Sequence, residues 1–229
     1  MRYEFVPCCD TELVTRTGTV DRDNVEWMAG SLFLKALRDT RITSGDTVLD
    51  LGAHIGSFSV VAATECRARV VGFEPDADSL RLARTNALLN GVADLTEFHP
   101  LAVGGRDGAT FVFESTENWG HTIVEGGGPY NQLSGRKSEV GIISLRSALN
   151  YASAGCAFMK FNIEGAEYEM LENAPPEVLR RIRAMAGEIH YDLGAGDVRK
   201  CLAKLEQCGF AVQLVSQGEV RAILIATRA

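Results

Sequence analysis

Between Thr47 and Phe58 the chain reads TVLDLGAHIGSF. Val48, Leu49 and Leu51 are apolar, Asp50 interrupts them, and Gly52 and Gly56 frame a turn into the helical run SFSVVAATEC. A short strand, a glycine turn and a helix in that order open a βαβ unit, which commits the chain to a parallel sheet flanked by helices. Glycines at such a turn let backbone approach a ligand closely, and a helix starting there offers unpaired N–H groups.

The rest of the chain keeps this alternation. RVVGFE reads as the next strand, and DADSLRLARTNALLNG as a helix with Leu80, Ala83 and Ala87 at i, i+3, i+7 spacing and a stop at Asn90-Gly91. LTEFHPLAV reads as a third strand. From Gly104 to Gly141 the character changes: nine glycines fall there, including Gly126-Gly127-Gly128, and only ATFVFES alternates like a strand. This marks a glycine-rich insertion at about 104–150, of short strands and loops over a site or on the surface. AFMKFNI resumes as a strand, followed by the helices EGAEYEMLENA and PEVLRRI, a strand within RAMAGEIHYD and the helix DVRKCLAKLEQCG. FAVQLVSQ and VRAILIATRA, joined at Gln217-Gly218, read as a closing antiparallel hairpin. Residues 1–44, with NVEWMAGSLFLKALRDT as a helix, are expected to form an N-terminal helical cap on a main domain spanning 45–229.

Composition narrows the function. A chain of 229 residues that is 46% hydrophobic buries a large core, and a net charge of −7 disfavours broad contact with nucleic-acid phosphates or anionic membrane. MRYEFVPCCD lacks the apolar stretch of a signal peptide, and no run of about 18 apolar residues occurs. The expectation is a soluble, cytoplasmic protein. The six cysteines form no CxxC pair and the four histidines are scattered, so the cysteines read as small apolar fillers kept reduced, and no structural zinc is expected.

Three strand ends carry polar groups: Asp50-Leu51-Gly52, Glu74-Pro75-Asp76 and Asn162-Ile163-Glu164-Gly165. In a doubly wound sheet, ligands bind beyond these carboxyl ends. Glu74, 22 residues after Gly52, suits the hydroxyls of a ribose. The turn reads Gly52-Ala53-His54-Ile55-Gly56-Ser57, so histidine replaces the middle glycine of the dinucleotide fingerprint, and no Walker-type phosphate loop is present. The remaining common adenosine cofactor without phosphates is S-adenosylmethionine, with Asp50 and the 52–57 turn to seat its amino-acid end.

VLDLGAHIGSFSV, VVGFEPDADSLRLARTNALLNG, FHPLAVGG and MKFNIEGAEYEML together resemble the FkbM-type S-adenosylmethionine-dependent methyltransferases, and GEIHYD is similar to their next strand. The resemblance runs from about Gly45 to Asp192. It implies the class I methyltransferase fold, an α/β, Rossmann-like, doubly wound sheet of seven mostly parallel strands with an antiparallel edge hairpin. It also implies O-methylation of a natural-product or sugar-derived small molecule, or N-methylation in some relatives. The cofactor would then be surrounded by Asp50, Gly52, His54, Ile55, Gly56, Ser57 and Phe58 from the turn, Glu74, Pro75 and Asp76 from the second strand end, Leu101 and Ala102, and Asn162. Family members usually carry asparagine at position 54 and aspartate at 162. His54 either hydrogen-bonds the cofactor or fills the turn. Asn162 removes a carboxylate from the position where a hard cation would be sought, so no metal ligand is expected.

Methyl transfer from a sulfonium is an in-line displacement, in which the enzyme chiefly positions the acceptor and excludes water. A general base assists a hydroxyl acceptor. His190, at a strand's carboxyl end, is the first candidate, Glu164 the second, and His121, beside Trp119 in the insertion, the third; His99 reads as structural. The rival classes are a small-amine or guanidine N-methyltransferase, a nicotinamide-dependent oxidoreductase and a non-catalytic binding protein. The partners expected are a small-molecule acceptor and at most a second copy in a homodimer, with neither nucleic acid nor membrane.

Overall fold

The computed structural model describes residues 2–115, 121–124, 133–153, 155–193 and 196–228. Its elements run in the order β1 (Tyr3–Cys8), β2 (Thr11–Arg16), α1 (Asp21–Ala29), α2 (Leu32–Asp39), β3 (Thr47–Leu51), α3 (Ser57–Cys66), β4 (Arg69–Phe73), α4 (Ala77–Leu89), β5 (Thr96–His99) and β6 (Leu101–Gly104). They continue with β7 (Gly108–Ser115), β8 (Leu133–Ser144), α5 (Leu145–Ala148), β9 (Cys156–Phe161), α6 (Glu167–Asn173), α7 (Pro176–Leu179), β10 (Ile182–His190), α8 (Val198–Gln207), β11 (Ala211–Ser216) and β12 (Arg221–Thr227).

Seven strands form the main sheet in the order β11-β12-β10-β9-β3-β4-β5. β10, β9, β3, β4 and β5 are mutually parallel, and β12 pairs antiparallel with both β10 and β11. β12 is therefore the one reversed strand of this sheet, and β11 at the edge runs with the others. The chain steps outward from β3 to β4 to β5, then crosses back to β9, so the switch point lies between β3 and β9. That is where a doubly wound sheet opens a crevice at its carboxyl ends.

Both faces are covered, as near-continuous apolar strands require. Val48 and Phe158 pack on one face with Phe33, Phe58 and Leu80. Leu49, Leu51, Met159 and Phe161 pack on the other with Leu149, Leu171 and Leu205. The alternation of strand side chains accounts for the division.

The structure departs from the sequence expectations in three places, each with a local cause. The expected single strand LTEFHPLAV is two, because Pro100 has no N–H to donate to a ladder; β5 stays in the main sheet and β6 joins a second sheet of order β6-β8-β7. The expected helix over 24–40 breaks at Gly30-Ser31, where the Ser31 hydroxyl accepts from Leu34 N at 3.3 Å and starts a second helix as its N-cap. Ahead of these helices, β1 and β2 form an antiparallel hairpin instead of a purely helical cap. The expected insertion supplies β7 and β8, while Trp119 and the Gly126–Gly128 run lie outside the described residues. Among the described residues no helix is long and apolar enough to cross a membrane.

Candidate active site

A cavity of about 400 Å³ opens at the carboxyl ends of β3, β4 and β9, a size suited to a small-molecule ligand. Its floor is the β3–α3 turn. Gly52 holds φ at +76°, and a Cβ there would stand 1.9 Å from the Asn162 carbonyl oxygen, so no other residue fits between β3 and β9. The turn satisfies itself: Gly52 N and Ala53 N both donate to Phe73 O, at 2.9 and 3.0 Å, and Gly56 N donates to Ala53 O. His54, at φ +52°, donates its N–H to Glu74 Oε2 at 2.8 Å.

Glu74 ends β4 and is only 8% exposed. Its other oxygen accepts from Asp76 N at 2.9 Å. Burial raises its pKa against the pull of these two backbone donors. Two N–H groups use two of about four lone-pair positions on a carboxylate, so the carboxylate is fixed and retains acceptor capacity toward the cavity it lines. Across the floor, Asn162 also lines the cavity, and its side-chain oxygen is buried without a hydrogen-bond partner among the described residues. A buried orphan acceptor calls for a donor from the ligand. A sugar diol on Glu74 and an ammonium on Asn162 are the two polar ends of S-adenosylmethionine, so these residues fit that cofactor.

Of the residues expected around the cofactor, Gly52, His54, Ser57, Phe58, Glu74, Pro75, Leu101, Ala102 and Asn162 line this one cavity. Four do not. Asp50 is fully buried, accepts from the Ser59 hydroxyl at 2.6 Å and pairs with Lys160 Nζ at 3.1 Å, which places Lys160 and not Asp50 on the cavity wall. Ile55 is buried in the core, and Gly56 packs against Ala83. Asp76 serves as N-cap of α4, accepting from Ser79 N at 2.7 Å. Lys160 escaped the sequence reading because a lysine in an apolar strand gives no sign of its partners; it also donates to Gly52 O at 2.7 Å.

The candidate bases separate in the same way. Glu164 and His121 line the cavity, whereas His190 does not. Glu164 holds φ at +50°, a sparsely populated conformation for a side-chain-bearing residue, and the Thr122 hydroxyl donates to its carbonyl, tying the insertion to the floor. His121 therefore sits in the roof with β6 and β7. Burial lowers its pKa, leaving the imidazole neutral at pH 7. His190 is fully buried, with Nδ1 3.0 Å from Glu167 Oε1 and Nε2 3.4 Å from Glu164 Oε2. Burial alone would lower its pKa, but the Glu167 and Glu164 carboxylates outweigh burial and push it up to about 10.

A family model described as the methyltransferase FkbM domain matches residues 50–212. No curated protein sequence matches the chain significantly. In fold it is similar to a precorrin-6Y C5,15-methyltransferase from Geobacter metallireducens (13% identity, 95% of this chain and 94% of that one, TM-score 0.52). It is also similar to an rRNA methylase from Streptococcus thermophilus (13%, 85% and 92%, 0.55). A ribosomal protein L11 methylase from Lactobacillus delbrueckii subsp. bulgaricus shares the fold as well (15%, 100% and 100%, 0.53). The likeness establishes the class I methyltransferase fold.

Proposed function

The chain belongs to the FkbM methyltransferase family and is an S-adenosylmethionine-dependent methyltransferase, and from that premise we propose that it O-methylates a small natural-product or sugar-derived acceptor in the cytoplasm. The observation that carries this is the make-up of the site: the insertion and α1 bring His121, Val112 and Trp27 to the wall of a concave cavity of about 400 Å³, a size that suits a small molecule. The net charge of −7 weighs against a nucleic-acid acceptor. Six free cysteines, four of them buried, suit a reducing compartment.

Glu74 would hold the ribose and Asn162 the amino-acid arm of S-adenosylmethionine, which would supply the methyl group. The acceptor hydroxyl would bind in the same cavity, within reach of His121. His121, neutral and in the cavity wall, takes the hydroxyl proton as the methyl group transfers. This reverses the order expected from the sequence, in which His190 came first: His190 does not line the cavity, and its Nδ1 is engaged by Glu167 at 3.0 Å. The acidic wall of Glu164 and Glu188 favours one second reading, a cationic amine acceptor; paired screens of hydroxyl and amine acceptors with methyl-labelled cofactor separate the two by the mass and identity of the product.

Cofactor placement is tested by calorimetry with S-adenosylhomocysteine. Glu74→Ala loses two hydrogen bonds to a carboxylate, about 3 kcal/mol or on the order of 100-fold in Kd. An unchanged Kd removes Glu74 from the site.

A further inference from the structure

Glu164 follows β9, Glu188 and His190 are alternate residues of β10, and one ligand atom from each lies within 4.8 Å of the others. Three features set this group apart from a plain acidic cluster. His190 Nε2 is fully buried without a hydrogen-bond partner among the described residues, and it points between the two acids, 3.4 Å from Glu164 Oε2 and 3.8 Å from Glu188 Oε2. The opposite ring nitrogen, Nδ1, lies 3.0 Å from Glu167 Oε1, the carboxylate–imidazole arrangement that fixes the ring of a metal-binding histidine and leaves the other nitrogen for the ion. Glu167 is itself held, accepting from Ile163 N at 3.2 Å and Gly165 N at 2.8 Å.

We propose that Glu164, Glu188 and His190 bind a divalent first-row cation of the Mn²⁺ or Zn²⁺ type, which displaces the proton from His190 Nε2 to solvent, with Glu167 as the positioning residue. Two ligand atoms each about 2.1 Å from a tetrahedral centre stand roughly 3.4 Å apart, which the nitrogen–oxygen separations of 3.4 and 3.8 Å approach without rearrangement of the strands. One imidazole and two carboxylates suit these ions by ligand type. Three carboxylates around one imidazole also leave excess negative charge; the nearest guanidinium, Arg221, stands 3.6 Å from Glu188. The expectation of no metal rested on Asn162, on the lack of CxxC pairs and on the scatter of the histidines; this group is built instead from two acids and one histidine that the fold brings together. Glu164 and Glu188 line the cavity while His190 lies behind them, so the ion's open positions face the acceptor and would orient and polarise its hydroxyl. That use rests on the methyl-transfer reading, whereas binding of the ion does not.

The test is titration of Mn²⁺ into metal-stripped protein, followed by loss of the free-ion paramagnetic resonance signal, with Zn²⁺ by calorimetry in parallel. Wild type binds a single equivalent, and nitrogen modulation of the bound Mn²⁺ signal reports one imidazole. Glu188→Gln weakens binding at least about tenfold while its Kd for S-adenosylhomocysteine stays within about twofold, which shows the variant is folded. Three results would each overturn the site: no saturable binding of either ion by wild type up to about 1 mM, no imidazole signature, or unchanged affinity in a folded Glu188→Gln. Loss of nucleoside binding by wild type would instead strike the methyl-transfer reading and leave the metal result standing.

Discussion

His121→Ala lowers kcat/KM for a hydroxyl acceptor by roughly 10²–10⁴-fold, the usual contribution of a positioned general base. The base must be unprotonated, so the wild-type rate falls as pH drops through the His121 pKa, which burial holds below the ordinary imidazole value of about 6.5. Above that point the rate is flat. In His121→Ala the acid limb disappears, and affinity for S-adenosylhomocysteine is retained, because the proposed nucleoside contacts, Glu74 and Asn162, lie on the floor and not in the roof. Steady-state rates across pH 5–9 for both proteins check this. A variant that keeps full turnover and the same acid limb returns the role to another group.

Asp21→Asn costs about 3–5 kcal/mol of folding stability, the penalty for leaving one partner of a buried pair uncompensated. Asp21 is fully buried and Arg16 is 5% exposed. Arg16 donates to Asp21 through Nε at 2.7 Å, through a terminal nitrogen at 2.9 Å and through its backbone N–H at 2.9 Å. The same guanidinium reaches the Ser79 hydroxyl on α4 at 3.2 Å, and His54 Nε2 lies 3.3 Å from Asp21. The pair thus pins β2, α1, α4 and the cofactor turn together. Burial alone would raise the Asp21 pKa, but hydrogen bonds from His54 and Arg16 outweigh burial and depress it far below the usual carboxylate range. A depressed carboxylate contributes stability that is fully present above the unfolded value of about 3.9 and is lost as pH falls through the folded value. Denaturant unfolding of wild type should therefore lose stability steadily below about pH 4, and the variant should lack that component. Equal stability of the two proteins at pH 7 would show the pair to be dispensable.

Much of the floor of the site was legible because its causes are local. A glycine forced by φ +76° and a neighbouring carbonyl, an acid ending β4 and an amide ending β9 all sit at strand ends that apolar patterning marks plainly. The β1–β2 hairpin left a weaker trace: Val6 and Cys8 on one strand and Leu13 and Thr15 on the other point inward at alternate positions, but Cys9-Asp10 is not a common turn pair, and the run was absorbed into an expected helical cap. What stayed hidden depends on which residues meet. Asp50 reads as an open acid until Lys160 is found across the strand gap. His190 reads as a poised base until Glu164, Glu167 and Glu188 close around it. Arg16 and Asp21 are five residues apart in sequence, and nothing in their spacing says that both are buried. Charge partners are set by tertiary approach, and periodicity carries no information about them.

The most direct test of the account is a crystal structure of the protein with S-adenosylhomocysteine bound. The nucleoside is expected across the carboxyl ends of β3 and β4, its ribose hydroxyls donating to Glu74 and its ammonium donating to the Asn162 side-chain oxygen. Its sulfur should face the space beneath His121. Density for the nucleoside elsewhere, or a ribose turned away from Glu74, would contradict the account at its root.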